Sequence, residues 1–261
     1  VLSLLVLMGV GLLVVRRAVR RERDAWRLRD DFIANVSHEL RTPLTSVCLH
    51  AEMLADEDPP ADRRRELARV VKAEGGRLAA LVDDLLDFAA LEQGVRRIEP
   101  EPVDLARAVR EAAAPYETLA AREGVELEVD VPEGELVALA DAHALSRVLA
   151  NLLANAWRHG RPSRDGAPGR LRIRAYDDPE TEEGPTVEVQ DDGPGIPAEE
   201  RGTIFERFHR GRGSKRVEGT GLGLALGREL ARAMDGELAL VAEPQATVFR
   251  LTLPSLPDLE V

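Results

Sequence analysis

The hydrophobic pattern changes character three times along the chain. Val1 to Val15 is almost wholly apolar and is followed at once by Arg16, Arg17, Arg20, Arg21 and Arg23. From Arg16 to about Asp56 there is no Gly and a single Pro, Pro43, in a stretch rich in Arg, Leu, Glu and Ala. That composition predicts one long helix, bent at Pro43, with Phe32, Val36, Leu40, Leu44 and Val47 along one apolar stripe. Asp56-Glu57-Asp58-Pro59-Pro60 breaks it, and a second helix begins near Asp62. In that helix Leu67, Val71, Glu74, Leu78, Leu81, Leu85 and Phe88 follow alternating spacings of four and three, a coiled-coil seam with Glu74 its one polar member. The two helices read as a hairpin. Burying the apolar seam members at about 1.5 to 3 kcal/mol each asks for more partners than two lone helices provide. A four-helix bundle formed by two chains supplies them; an intrachain bundle is the alternative, but only two long helices are available for it.

A Pro- and Glu-rich connector, Glu99-Pro100-Glu101-Pro102, ends this region, and the period then shifts towards two. Strands are predicted at Val103 to Leu105, Val125 to Val131, Leu136 to Ala140, Leu171 to Tyr176, Thr186 to Gln190, Glu237 to Val241 and Thr247 to Leu253. Helices are predicted at Ala106 to Arg122, Ala142 to His159, Ala198 to Phe205 and Thr220 to Met234. The class is α+β, with helices covering one face of a sheet. The resulting layout is an apolar segment over 1–15, a basic helical linker over 16–29, a helical hairpin over 30–98, a sandwich domain over 99–254 and a tail over 255–261.

Charge and composition narrow the partners. The 261 residues carry a formal charge of -12, which disfavours binding that relies on neutralising a phosphate backbone, so no nucleic acid is expected. The single cysteine, Cys48, excludes an intramolecular disulfide and a cysteine metal cluster. Val1 to Val15 reaches about 22 Å as a helix, short of a hydrocarbon core of about 30 Å, and the chain does not begin with Met. A truncated transmembrane helix is the reading, with a buried core helix as the alternative. The arginines that follow mark a cytoplasmic flank, so the remainder is expected in the cytoplasm, attached to the cell membrane.

Four clusters carry chemistry. In Ser37-His38-Glu39-Leu40-Arg41-Thr42-Pro43-Leu44, His38 lies about 200° around the helix from the apolar stripe and faces solvent. An imidazole in water is largely neutral near pH 7 and can act as a nucleophile. Thr42, one turn on, stacks over His38, whereas Glu39 points about 100° away. Asn151 and Asn155 are poor helix formers one turn apart in a good helix, and an amide oxygen is a hard ligand suited to Mg²⁺. Asp191-Asp192-Gly193-Pro194-Gly195-Ile196 follows a strand, where a carboxylate can accept from an adenine amino group and glycines let backbone approach closely. Gly219-Thr220-Gly221-Leu222-Gly223-Leu224 opens a helix, whose N–H groups attract phosphate; it fits neither a Walker A loop nor a dinucleotide fingerprint.

In this order the clusters resemble the H-box, N-box and two glycine boxes of sensor histidine kinases of two-component systems, and Ile204-Phe205-Glu206-Arg207-Phe208 resembles the F-box between them. The resemblance runs over about Asp30 to Leu253. It implies a dimeric phosphoacceptor hairpin followed by an α/β-sandwich ATP-binding domain of the type shared with gyrase-like ATPases. It further implies that His38 is phosphorylated from ATP, that Glu39 accepts a proton, and that Thr42 supports dephosphorylation of the partner. Asn155 would bind Mg²⁺, with Asn151 nearby, Arg158 close to phosphate and His159 near adenine. Asp191, Gly193 and Gly195 would hold adenine, and Gly219, Thr220, Gly221, Leu222 and Gly223 the phosphates. Asp192 stands where the family often has Asn. Arg212 and Lys215, in the polar His209 to Glu218 segment that resembles the ATP lid, fit phosphate contacts and a solvated loop equally. The implied partners are a second copy of the chain and a response regulator receiver domain. Two other readings use fewer of these features: an ATP-driven conformational machine of the same nucleotide-binding fold, which leaves the His38 motif unexplained, and a non-catalytic membrane scaffold.

Overall fold

The computed structural model describes residues 16, 33–55, 59–94, 97–160, 169–177, 184–209, 221–242 and 246–256. Among them no helix is long and apolar enough to cross a membrane; the expected span at Val1 to Val15 and nearly all of the linker after it lie outside the described residues. The chain divides into two compact units, Val1–Val82 and Asp83–Val261.

The first unit is the helical hairpin. Helix α1 covers residues 33–55 and runs through Pro43, and α2 covers Ala61–Glu92, its last ten residues belonging to the second unit. On α1 Val36, Leu40, Pro43, Val47, His50 and Leu54 are covered in steps of three and four, with Glu39, Ser46 and Met53 half-buried beside them. Leu44, expected on the stripe, is 50% exposed because the covered seam passes through Pro43 instead. On α2 the predicted seam is the covered side, with Leu67 and Leu81 buried and Val71, Glu74 and Leu78 half-buried.

The second unit is an α/β sandwich. Strands β1 (Glu101–Asp104) and β3 (Val137–Ala140) form an antiparallel pair. Strands β2 (Glu126–Asp130), β4 (Arg170–Tyr176), β5 (Thr186–Asp191), β6 (Glu237–Ala242) and β7 (Thr247–Thr252) form one sheet in the order β2-β4-β5-β7-β6. Only β2 and β4 are parallel; the other neighbours are antiparallel. Helices α3 (Leu105–Glu123), α4 (Ala142–His159) and α5 (Gly223–Ala233) pack on one face, over Leu171, Ile173, Ala175, Val187, Val189, Phe249 and Leu251. Local chemistry sets the helix ends. Asp104 caps α3 by accepting from the Ala106 and Arg107 N–H groups, Asp141 caps α4 through Ala144, and Gly124, at φ 69°, lets α3 stop.

The opposite face of the sheet carries charge in register. Glu126, Glu128 and Asp130 on β2 stand beside Arg170, Arg172 and Arg174 on β4, at 3.0, 2.7 and 3.4 Å. Glu188 on β5 pairs with Arg250 at 2.8 Å and accepts from the Tyr176 hydroxyl at 3.1 Å. Within the same unit, the end of α2 is held by Arg147 of α4, which donates to Asp84 at 3.0 Å and Asp87 at 2.9 Å.

Two predicted elements need correction. Ala198 to Phe205 is a run of turns, closed by bonds from Glu200 to Pro197, Thr203 to Glu200 and Glu206 to Thr203, and not an α-helix. The first strand, Glu101–Asp104, begins two residues earlier than expected, in the connector, and ends at Asp104 because Leu105 already begins α3.

Candidate active site

The hairpin contributes one reactive centre. The His38 side chain is 75% exposed, as the helix phase predicts, and its Nδ1 lies 3.6 Å from a Glu39 carboxylate oxygen whose side chain is 18% exposed. The geometry revises the expected separation: 100° between successive Cα–Cβ vectors does not keep a long glutamate from curling beside its neighbour. The Thr42 hydroxyl donates to the His38 backbone carbonyl at 3.3 Å, so it sits one turn from the imidazole and is free to rotate away.

The second unit gathers the other candidates at the C-terminal end of α4 and the end of β5. Asp191 is 1% exposed; its Oδ1 accepts from the Gly193 N–H at 2.9 Å, and it also receives a bond from the Thr247 hydroxyl. Burial pushes its pKa up to about 6, against those two bonds, which favour the ionised form. Close approach explains two glycines here. A Cβ on Gly160 would stand 2.5 Å from the Asp191 Cβ, and one on Gly193 would stand 2.5 Å from the His159 carbonyl oxygen. Gly160 was not marked by the sequence pattern, since its need for a bare Cα arises only when α4 meets β5. Gly195 has φ 73° with open space around it, a conformational requirement. Asp192 is exposed.

Asn151, Asn155 and His159 are half-buried on α4, and Arg158 is exposed. The His159 imidazole is shifted down, first by burial and then by the Arg158 charge, so it is held neutral. The Asn155 amide makes no hydrogen bond among the described residues, whereas the Asn151 Nδ2 donates to the Gly223 carbonyl at 3.1 Å. Helix α5 begins at Gly223, after Leu222, and no side chain among the described residues caps its first N–H groups. The Phe208 N–H donates to the Gly221 carbonyl at 2.9 Å, with Phe208 at φ 60° and Gly221 at φ 67°. The F-box ring Phe205 is held between Phe249, edge-on at 6.2 Å, and the Arg228 guanidinium at 4.6 Å. Arg212, Lys215, Gly219 and Thr220 lie outside the described residues. Among the described residues no cluster of three His, Cys, Asp or Glu could hold a metal by itself.

A buried carboxylate with adjoining glycines, an asparagine with no hydrogen bond among the described residues and a helix start without a side-chain cap stand in the second unit, and the histidine stands on the hairpin. Both parts match known families. Residues 28–94 match the His Kinase A (phospho-acceptor) domain, and residues 140–257 match the histidine kinase-, DNA gyrase B- and HSP90-like ATPase family. The chain belongs to the sensor histidine kinases of two-component systems. Sensor histidine kinase MtrB of Mycobacterium tuberculosis is 38% identical over 245 residues, which are 91% of this chain and 41% of that protein. The chain therefore spans about two fifths of that curated relative. Full-length ShkA, solved in complex with AMPPNP, is 28% identical, with a TM-score of 0.61 over 86% of this chain and 45% of that one. Histidine kinase ThkA, solved with response regulator protein TrrA, shares the fold at 22% identity and a TM-score of 0.68, over 92% of this chain and 66% of that one.

Proposed function

We propose that the second unit binds ATP with Mg²⁺, that a ring nitrogen of His38 attacks the γ-phosphate, and that the phosphoryl group then moves to an aspartate of a response regulator receiver domain. The observation that carries this is the exposed His38 imidazole with the Glu39 carboxylate at 3.6 Å from Nδ1. A carboxylate there favours the tautomer protonated on Nδ1 and accepts that proton as positive charge develops, leaving the Nε2 lone pair to form the N–P bond while the bond to the β-phosphate oxygen breaks and ADP departs. In this reading Asp191, with Gly193 and Gly195, receives adenine beside the neutral His159; Asn155 holds Mg²⁺; and Arg158 with the Gly219 to Gly223 segment, Thr220 and Leu222 included, meets the phosphates. Lys215 would reach them from the polar segment. When bound, the cation would neutralise phosphate charge; the chain's own part is alignment.

The acting molecule in this proposal is a homodimer, attached to the membrane through Val1 to Val15, with domain limits at 30–98 for the phosphoacceptor hairpin and 99–254 for the ATP-binding part. The exposed Ile33, Leu44 and Leu49 of the hairpin support the dimer. Incubation with γ-labelled ATP tests the reaction. His38→Gln should remove all label from the protein, and Asn155→Asp should remove nearly all of it; label persisting on His38→Gln sinks the proposal. Thr42→Ala should leave labelling intact and lengthen the life of the phosphorylated partner several-fold in the presence of the chain; an unchanged lifetime removes Thr42 from that role.

A further inference from the structure

The two asparagines of α4 are one turn apart yet differently committed. Asn155 has no hydrogen bond among the described residues, while Asn151 reaches across to the first residue of α5 and donates to the Gly223 carbonyl at 3.1 Å. A Cβ on Gly223 would lie 3.4 Å from the Asn151 Cγ and 3.5 Å from its Oδ1, which is ordinary van der Waals contact, so the amide packs beside this position. The two described glycines of this box thus differ. Gly221 is required by a left-handed backbone and by Phe208, whose backbone a Cβ would meet at 2.8 Å. Gly223 has no such backbone demand, and a Cβ there would only touch Asn151 at ordinary contact distance.

We infer that Asn151 is a positioning residue: its amide fixes the opening turn of α5 through the Gly223 carbonyl and thereby aims that turn's free N–H groups at phosphate, without itself contacting nucleotide or metal. The inference rests on the ATP-site reading above. Aspartate cannot replace it, because a carboxylate has no hydrogen to donate and would face a carbonyl oxygen. The pair also makes two segments 72 residues apart into one mechanical part.

Titration of the full chain with a fluorescent ATP analogue, once with Mg²⁺ and once with a chelator, tests this. Asn151→Ala and Asn151→Asp should weaken binding by about 5- to 10-fold, the size of one lost hydrogen bond, by the same factor in both conditions. Asn155→Asp should act only with Mg²⁺. An Asn151 effect confined to Mg²⁺ would make the residue a ligand and overturn the inference. Amide hydrogen exchange over residues 224–227 of the nucleotide-free chain gives a separate reading: several-fold faster in Asn151→Ala, or in the milder Asn151→Ser should Asn151→Ala fold poorly, and unchanged rates would refute the grip on α5. A parent chain that binds no nucleotide would sink the ATP reading and leave the exchange rates to decide this one.

Discussion

Asp191 is the residue whose surroundings most alter its chemistry. Its folded pKa of about 6 lies above the ordinary 3.8, with burial the main cause. A raised carboxyl pKa means that protonation favours the folded state. The contribution to stability is fully present below about pH 3.8 and is lost as pH rises through about 6. Asp191→Asn keeps an acceptor for Gly193 and removes the buried charge, so it should exceed the parent by up to about 3 kcal/mol at pH 8, with the gap down to about 1 kcal/mol by pH 4.5. Denaturant unfolding at the two pH values checks this; equal gaps would show that charge burial is not the cause. The site was legible to different degrees at this scale. Helix phase alone exposed His38, because an exposed residue needs no tertiary information. Gly160 and the Asn151 to Gly223 bond were not legible, since each depends on which distant backbone arrives alongside.

Among the elements, α2 holds an unexpected pair, Gly75 and Gly76, within a continuous helix. Neither has a left-handed backbone, and a Cβ at either would meet nothing within 4 Å. Each Gly→Ala change should therefore stabilise the hairpin by about 0.5 to 1 kcal/mol through helix propensity and a less flexible unfolded chain. Thermal melting of Gly75→Ala, Gly76→Ala and the double variant measures it; a lower midpoint would show that another chain packs against the glycines. Long periodic elements were the ones the sequence pattern placed well, α4 to the residue, because capping Asp141 and terminal Gly160 bracket an unbroken apolar face. The turns at 198–205 misled. Pro197 and the acidic pair Glu199-Glu200 look like a helix start, but Gly202 and the Thr203 hydroxyl bond to the Glu200 carbonyl favour three-residue closures, with a single four-residue bond from the buried Ile204 to Glu200.

At the scale of the whole molecule, the exposed apolar side chains of the hairpin bear on assembly. Ile33, Leu44, Leu49 and Val82 are 53, 50, 51 and 40% exposed, and a second copy is the occupant proposed above. Leu44→Glu should shift the chain towards monomer in sedimentation velocity at micromolar concentration, and an unchanged dimer would place the interface elsewhere. The order of a helical region before an α/β sandwich was legible from the change of period near Glu99. The attachment of the last turns of α2 to α4 was not, since Asp84 and Asp87 gain meaning only when Arg147 is brought to them. The charged ladder on the open sheet face has one more consequence, during synthesis. Forty-four residues separate Glu126 and Glu128 from their arginine partners. At about 5 to 20 residues per second, β2 leaves the ribosome several seconds before β4. In that interval a neighbouring nascent chain presents the same three acids, and β4 strands likewise present only arginines to one another. Like charges opposite one another oppose pairing. The ladder thus disfavours pairing of β2 with β2 and of β4 with β4 between nascent chains.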